Sequence, residues 1–196
     1  VPTGVALRDV REQLFAAAER VLLRAGPSGL TSRAVTDEAG CAKGVLHRHF
    51  SDFDDFLAEL VRDRIAVLAR DAGELRDSAG TGAVDDNLAD AVTKVFGPVA
   101  VAIVSLIIFR DELRTRLRAT RPIGVPLLSD ATVMISEYLT AERDLGRLTP
   151  DVDVDALAPA LIGAGHLLFA DRTGAPPDAT AVRRMVATVL SGSRIR

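Results

Sequence analysis

Five residues near the N-terminus carry most of the chemistry this chain offers: Lys43, Gly44, His47, Arg48 and His49. Guanidinium, ammonium and imidazole groups donate hydrogen bonds to phosphate oxygens and to the acceptor edges of bases. Gly44 has no side chain, so the backbone there can approach a partner closely. A short helix with small and basic groups on one side fits a B-DNA major groove of about 12 Å width. On local pattern alone, a helical hairpin with a merely solvated basic face is the open alternative.

The elements that must position these residues are legible around them. Residues 31–50, TSRAVTDEAGCAKGVLHRHF, divide into two short helices joined by a tight turn. Thr31 and Ser32 can cap the first, whose inner side carries Ala34, Val35 and Ala39. Gly40 suits a helix C-terminus that needs positive φ, and the small residues Cys41 and Ala42 fill the turn. Lys43 to Phe50 give the second helix, with Val45, Leu46 and Phe50 inward. Before this unit, Leu7 to Ala25 places Val10, Leu14, Ala17, Ala18, Val21 and Leu22 on one stripe, closed by Gly26-Pro27-Ser28-Gly29. After it, Asp52 can cap a helix carrying Phe53, Phe56, Leu57, Leu60, Val61, Ile65 and Leu68 at helical spacing. The pattern predicts a three-helix head, residues 1–52, on a rod at 53–76.

The run from Arg11 through Leu57 resembles the N-terminal domain of TetR-family (tetracycline-repressor-like) transcriptional regulators. The matching pieces are Arg11 to Gly26, Thr31-Ser32-Arg33, Glu38-Ala39-Gly40, Lys43-Gly44, Leu46, His49-Phe50 and Asp54-Asp55-Phe56-Leu57. They cover about a quarter of the chain; the remainder is similar to the family only in length and helical texture. The resemblance implies DNA contacts by Arg33, Lys43, Gly44, His47, Arg48 and His49, and a helical body at 53–196 for ligand binding and dimerisation. Four positions depart from the family pattern. Val45 stands where a Thr or Ser is usual, and His47 where a phosphate-touching Tyr is usual. Asp52-Phe53 replaces a common Ser-Lys pair whose Lys reaches phosphate. Phosphate anchoring is therefore expected to be weaker, or shifted to Arg8, Arg11, Arg33 and Arg48.

Charge is divided along the chain. The net charge is −3, yet the first fifty residues hold seven Lys or Arg against five Asp or Glu, a net of plus two. A mildly basic head and an acidic remainder suit a protein that offers nucleic acid one end only. The 48% apolar and 4% aromatic content, without Trp, favours helix-on-helix packing. At 196 residues the chain can bury a sizeable core. A single cysteine, Cys41, excludes an internal disulfide framework. The uncharged run Val95 to Phe109 is shorter than the roughly 20 residues of a membrane span. With no signal pattern visible, a cytoplasmic location without membrane association is expected.

The body reads as further helices, about nine to ten in the whole chain, which makes the fold class all-α. Gly73 to Asp86 reads as a joint, followed by helices at Leu88 to Phe96, Val99 to Phe109, Arg110 to Thr120 and Leu127 to Leu145. Breaks are expected at 121–126 and 173–177. Two more helices run from the acidic start 151–155 to Asp171 and from Asp178 to Leu190. Apolar surplus on these last two helices predicts a homodimer through Ala160, Gly163, Ala164, Leu167, Val182, Met185, Val186 and Val189, with an intramolecular core as the alternative. The resemblance implies the same pairing. It also implies a pocket between about 60 and 140, with Phe96, Val99, Ile103, Ile107, Phe109, Met134, Tyr138 and His166 as candidate liners. Their scarcity of polar groups suits a mostly apolar effector.

Catalytic signals are weak. His47 and His49 are two apart, on different helix faces, which disfavours one shared metal. Asp151, Asp153 and Asp155 lack the central Gly and terminal Glu of a calcium loop. No phosphate-cradling glycine loop, HExxH or nucleophile elbow occurs. The expectation is a non-enzymatic, cofactor-free, dimeric regulator reading a near-palindromic double-stranded operator. The alternative is a helical small-molecule-binding protein or enzyme that has lost DNA reading.

Overall fold

Apolar residues at helical spacing, punctuated by Gly, Pro and capping Asp or Thr, produce an all-helical fold among the described residues. The computed structural model describes residues 4–120, 123–170 and 175–192, with side chains from Val10 onward. The helices are α1 (Gly4–Gly29), α2 (Ser32–Glu38), α3 (Gly44–His49), α4 (Phe53–Asp77), α5 (Val84–Val95), α6 (Pro98–Phe109), α7 (Asp111–Arg118), α8 (Leu128–Asp144), α9 (Val154–Phe169) and α10 (Ala179–Val189). The expected breaks at 121–126 and 173–177 fall partly outside the described residues.

Local chemistry explains most boundaries. The α1 backbone breaks at Gly26, whose φ of 67° is left-handed, and Pro27 follows without an N–H to continue the ladder. Asp153 and Asp178 cap α9 and α10 by accepting the N–H of Ala156 and Ala181. Two boundaries differ from the sequence reading. Gly73 lies inside α4, and α5 begins at Val84 rather than Leu88. One glycine costs a long helix only about 1 kcal/mol. Asp85 and Asp86 in the first turn of α5 suit its dipole. The true break is made by Gly80 and Gly82, at φ 82° and 59°. Leu127 has φ 70°, a strained conformation for a residue with a side chain; its N–H is accepted by Asp130 at 3.1 Å as α8 begins.

The chain gathers into two compact units. Unit 1 takes residues 1–64 and 102–126, so it contains α1, α2, α3, α7, the start of α4 and the end of α6. Its core is built from Leu14, Ala17, Ala18, Val21 and Leu22 of α1 with Leu30, Val35, Leu46, Leu57, Leu60 and Leu113. Four phenylalanines cluster within it: Phe56 lies 5.6 Å from Phe15, 5.0 Å from Phe50 and 5.7 Å from Phe53, centroid to centroid. Unit 2 takes residues 65–101 and 127–196. There α5, α8, α9 and α10 pack against one another around Leu88, Val92, Ile135, Leu139, Leu161, Val182 and Val186. Gly165 lets α9 pass the ring of Phe96, since a Cβ at that position would fall 2.5 Å from it. Among the described residues no single helix is long and apolar enough to cross a membrane; only the bent pair α5–α6, broken by 57°, reaches that composition together.

Candidate nucleic-acid interface

The turn between α2 and α3 is set by its ends. Thr31 adopts extended backbone and its hydroxyl accepts the Ala34 N–H at 3.1 Å, capping α2. At the other end Gly40, at φ 66°, sits in a Schellman motif: the Cys41 N–H reaches the Thr36 carbonyl at 3.0 Å and the Gly40 N–H reaches that of Asp37 at 3.2 Å. The buried Thr36 hydroxyl donates back to the Ser32 and Arg33 carbonyls, both 3.1 Å away. Arg20 and Arg24 of α1 both grip Glu38, at 2.7 and 2.9 Å. Those bonds, Arg20's first, hold the Glu38 carboxyl below its ordinary range. The start and direction of α3 follow from these fixed points.

Leu46 and Phe50 of α3 are buried, and Val45 is half-buried. Lys43, Gly44, His47 and Arg48 are exposed, and His49 is half-buried. Spacings of three and four put Lys43, Gly44, His47 and Arg48 on one helical face. Nothing lies within 4 Å of a Cβ built on Gly44, so no internal packing requires that glycine. Lys43, His47 and Arg48 carry no ion pair among the described residues. Arg33 is exposed on α2, with Nε 3.6 Å from Asp37. The helix presents a cationic, small-residue face outward and an apolar face inward.

The other arginines considered as phosphate anchors are placed differently. Arg11 donates to Glu59 at 3.0 Å and stands 4.6 Å over the Phe50 ring. The side chain of Arg8 lies outside the described residues. Asp52 and Phe53 have partners far along the chain. One Asp52 oxygen accepts the Asp55 N–H at 2.7 Å, the cap of α4, and the other accepts from Arg116 of α7 at 2.9 Å. The cap bond first and Arg116 second hold the Asp52 carboxyl below its ordinary range. Arg110 pairs with Asp54 at 3.0 Å and lies 5.4 Å from the Phe53 ring.

The eight candidate pocket residues divide between the units. In unit 2, Phe96 packs against His166 and Phe169 at 6.1 and 5.6 Å between ring centroids. Val99 is half-buried. Met134 lines a cleft of about 160 Å³ with Asp71, Glu74, Asn87 and Lys94; Lys94 donates to Glu74 at 2.8 Å. His166 Nδ1 is buried with no hydrogen-bond partner among the described residues. In unit 1, Ile103 and Ile107 are buried while Phe109 is 61% exposed.

Tyr138 is buried, and its hydroxyl accepts from Asn87 Nδ2 at 2.9 Å. Burial first, and the neighbouring Glu142 carboxylate second, push its pKa up. Glu142 escaped the sequence reading. It is fully buried, accepts the Gly80 N–H at 3.3 Å and lies 3.3 Å from Arg147 Nε. A signal existed: Ala131, Ile135 and Tyr138 form an inward stripe on α8 that Glu142 continues.

Of the residues considered for dimerisation, Val182 and Val186 are buried in unit 2's own core. Ala160, Gly163 and Leu167 are exposed on α9, Leu167 to 78%. Ala164, Met185 and Val189 are half-buried. Among the described residues, no group of three or more His, Cys, Asp or Glu side chains is placed to hold a metal.

Residues 14–60 match the family model for bacterial regulatory proteins of the tetR family. No curated protein sequence matches the chain. Solved structures share the fold. A transcriptional regulator from Rhodococcus sp. Rha1 is 21% identical, covering 95% of this chain and 98% of its own, with a TM-score of 0.72. FadR from Bacillus subtilis, solved in complex with stearoyl-CoA, is 16% identical over 92% of this chain and 98% of its own, at 0.70. The ketosteroid transcriptional regulator KstR2 of Mycobacterium tuberculosis is 21% identical over 95% of each chain, at 0.65.

Proposed function

We propose that this chain, which belongs to the TetR family through its N-terminal domain, is a dimeric DNA-binding repressor released from its operator by a small molecule. The observation that carries the DNA reading is the two-faced α3: Lys43, Gly44, His47 and Arg48 outward, Leu46 and Phe50 inward. Lys43 and Arg48 donate to base edges or phosphate, His47 donates to phosphate, and the bare Gly44 backbone permits close approach. Arg33 and His49 flank them. As a two-fold dimer the protein reads a near-palindrome, one half-site per head.

Dimerisation is supported by the exposed seam of α9. Ala156, Ala160, Gly163 and Leu167 recur at intervals of four and three, so they form one apolar stripe narrow enough for a second helix to approach. The effector is proposed to be mostly apolar, from the lining expected of Phe96, Val99, Met134 and their neighbours, with Tyr138 and His166 as polar handles. FadR's crystallised stearoyl-CoA and KstR2's ketosteroid name belong to those proteins and motivate trying apolar acyl and ring compounds first. The proposed setting is the cytoplasm, and the proposed role is non-enzymatic.

The direct test is a gel-shift assay on duplexes selected from a random pool. Lys43→Ala and His47→Ala are expected each to weaken binding at least about fivefold, the scale of one lost specific contact at about 1–3 kcal/mol. Unchanged affinity in both variants removes the site assignment. The second reading, a small-molecule-binding protein or enzyme without DNA reading, is favoured by Val45, His47 and Phe53 in place of the family's usual groups. Tight ligand binding or turnover with no DNA retention at moderate salt selects it.

A further inference from the structure

An acidic turn stands where DNA binding least tolerates one. Asp52, Asp54 and Asp55 follow the recognition helix directly, and Asp52 is three residues beyond His49. Three residues of extended chain span at most about 11 Å, close to the Debye length of about 8–10 Å at ordinary salt. Unscreened carboxylates at that range repel phosphates gathered by Lys43, His47 and Arg48.

The structure supplies the counter-charge from α7 and its N-cap. Arg116 Nη2 lies 2.9 Å from Asp52 and its Nη1 3.9 Å from Asp55. Arg110 Nη2 lies 3.0 Å from Asp54, with its guanidinium against the Phe53 ring. The Asp52 and Arg116 side chains are 51% and 38% exposed, so the pair adds little to stability. Its main effect is on the local field: two guanidiniums stand against three carboxylates.

We propose that Arg110 and Arg116 are positioning residues for DNA reading: they hold and neutralise the acidic first turn of α4, so that phosphate can approach the recognition helix. Phe53 and Asp52 thereby become parts of one latch, Phe53 as a seat for Arg110 and Asp52 as an anchor for Arg116. The proposal rests on the DNA-reading function above.

The test uses the full-length protein and a mixed-sequence duplex of about 30 base pairs, roughly three helical turns. Affinity is measured across a salt series, with thermal unfolding as a control for folding. Uncovering Asp52 and Asp55 at about 10 Å from several phosphates is expected to weaken binding by Arg116→Ala about fivefold, an effect that shrinks as salt rises. Arg116→Lys retains the charge and stays within about twofold of wild type. Asp52→Asn keeps the α4 cap, and binds as tightly as wild type or up to about threefold tighter. The double variant Asp52→Asn, Arg116→Ala recovers most of the loss. Wild-type retention with an unaffected Arg116→Ala overturns the neutralising role alone. A double variant that stays weak overturns it in favour of direct contact between Arg116 and phosphate. A weaker Asp52→Asn also overturns it. Failure of the wild type to retain any duplex at low salt overturns the DNA reading itself, and this role with it.

Discussion

In unit 1 the ionised groups stand at the surface and tie helix to helix: Arg20 and Arg24 to Glu38, Arg11 to Glu59, Arg110 and Arg116 to the start of α4. Its interior is left mainly to aliphatic side chains and to Phe15, Phe50 and Phe56, with the Thr36 hydroxyl buried but bonded within its own helix. Unit 2 places polar chemistry inside. Tyr138, Asn87 and the fully buried Glu142 form a connected group that also fixes the loop at Gly80–Gly82, through the Gly80 N–H, the Thr81 carbonyl and a bond from Arg147 to the Gly82 carbonyl. Solvated pairs are weak and yield to salt. Buried networks are costly to break and dictate one geometry. A reading head can exchange partners at its surface, whereas a loop following a long helix is held in a single arrangement.

The contrast can be broken most forcefully at the aromatic core of unit 1. Phe56→Ala is expected to cost about 3–5 kcal/mol by urea unfolding, the range for emptying a fully buried aromatic site. A cost under about 1 kcal/mol would mean that the surface ties, and not the core, hold the head. Next in size is the outer face of unit 2. Leu167→Glu is expected to raise the dimer dissociation constant at least tenfold in sedimentation, since two-fold symmetry brings both copies of the charge to one seam. The protomer's circular dichroism should not change, because Leu167 is largely exposed. A wild type that already sediments as a monomer at micromolar concentration removes the seam as an interface.

The smallest effect is in pH dependence, where the surface carboxylates Glu38 and Asp52 and the buried Tyr138 act at opposite ends of the range. Glu38 and Asp52 titrate below their ordinary values when folded. Their contribution is therefore present above the usual carboxylate pKa and lost as pH falls through the folded one. Tyr138 is raised above its ordinary value of 10.0, so its contribution is complete below about pH 10 and lost as pH rises through the folded pKa. Tyr138→Phe should cost about 1 kcal/mol at pH 7, by removing the acceptor for Asn87. It should also flatten the alkaline decline beyond pH 10. An alkaline limb equally steep in both proteins would show that Tyr138 ionisation does not set it.

What the sequence disclosed and withheld follows from range. Thr31, Gly40 and Asp178 act on backbone groups within a few residues, so their caps and turns were legible. The two faces of α3 were legible from helical period alone. The cap that Asp52 makes on α4 was legible too, but the long-range partners of Asp52 and Phe53 were not, because Arg116 and Arg110 lie more than fifty residues away. Read locally, Asp52 is a helix cap and a charge that repels phosphate. The grouping of 102–126 with the head likewise joins segments far apart in the chain. Glu142 hid for a different reason: a carboxylate at the end of a helix is ordinarily solvated, and its burial depends on a loop some sixty residues upstream.

The chain holds only two lysines, Lys43 and Lys94. Lys94 is engaged by Glu74, a bond that raises its pKa. Lys43 stands open on the face proposed to meet DNA. An amine-directed reagent therefore finds its readiest lysine at the reading helix. A methyl or fluorine tag placed there becomes a spectroscopic probe of that face, with no engineered residue required.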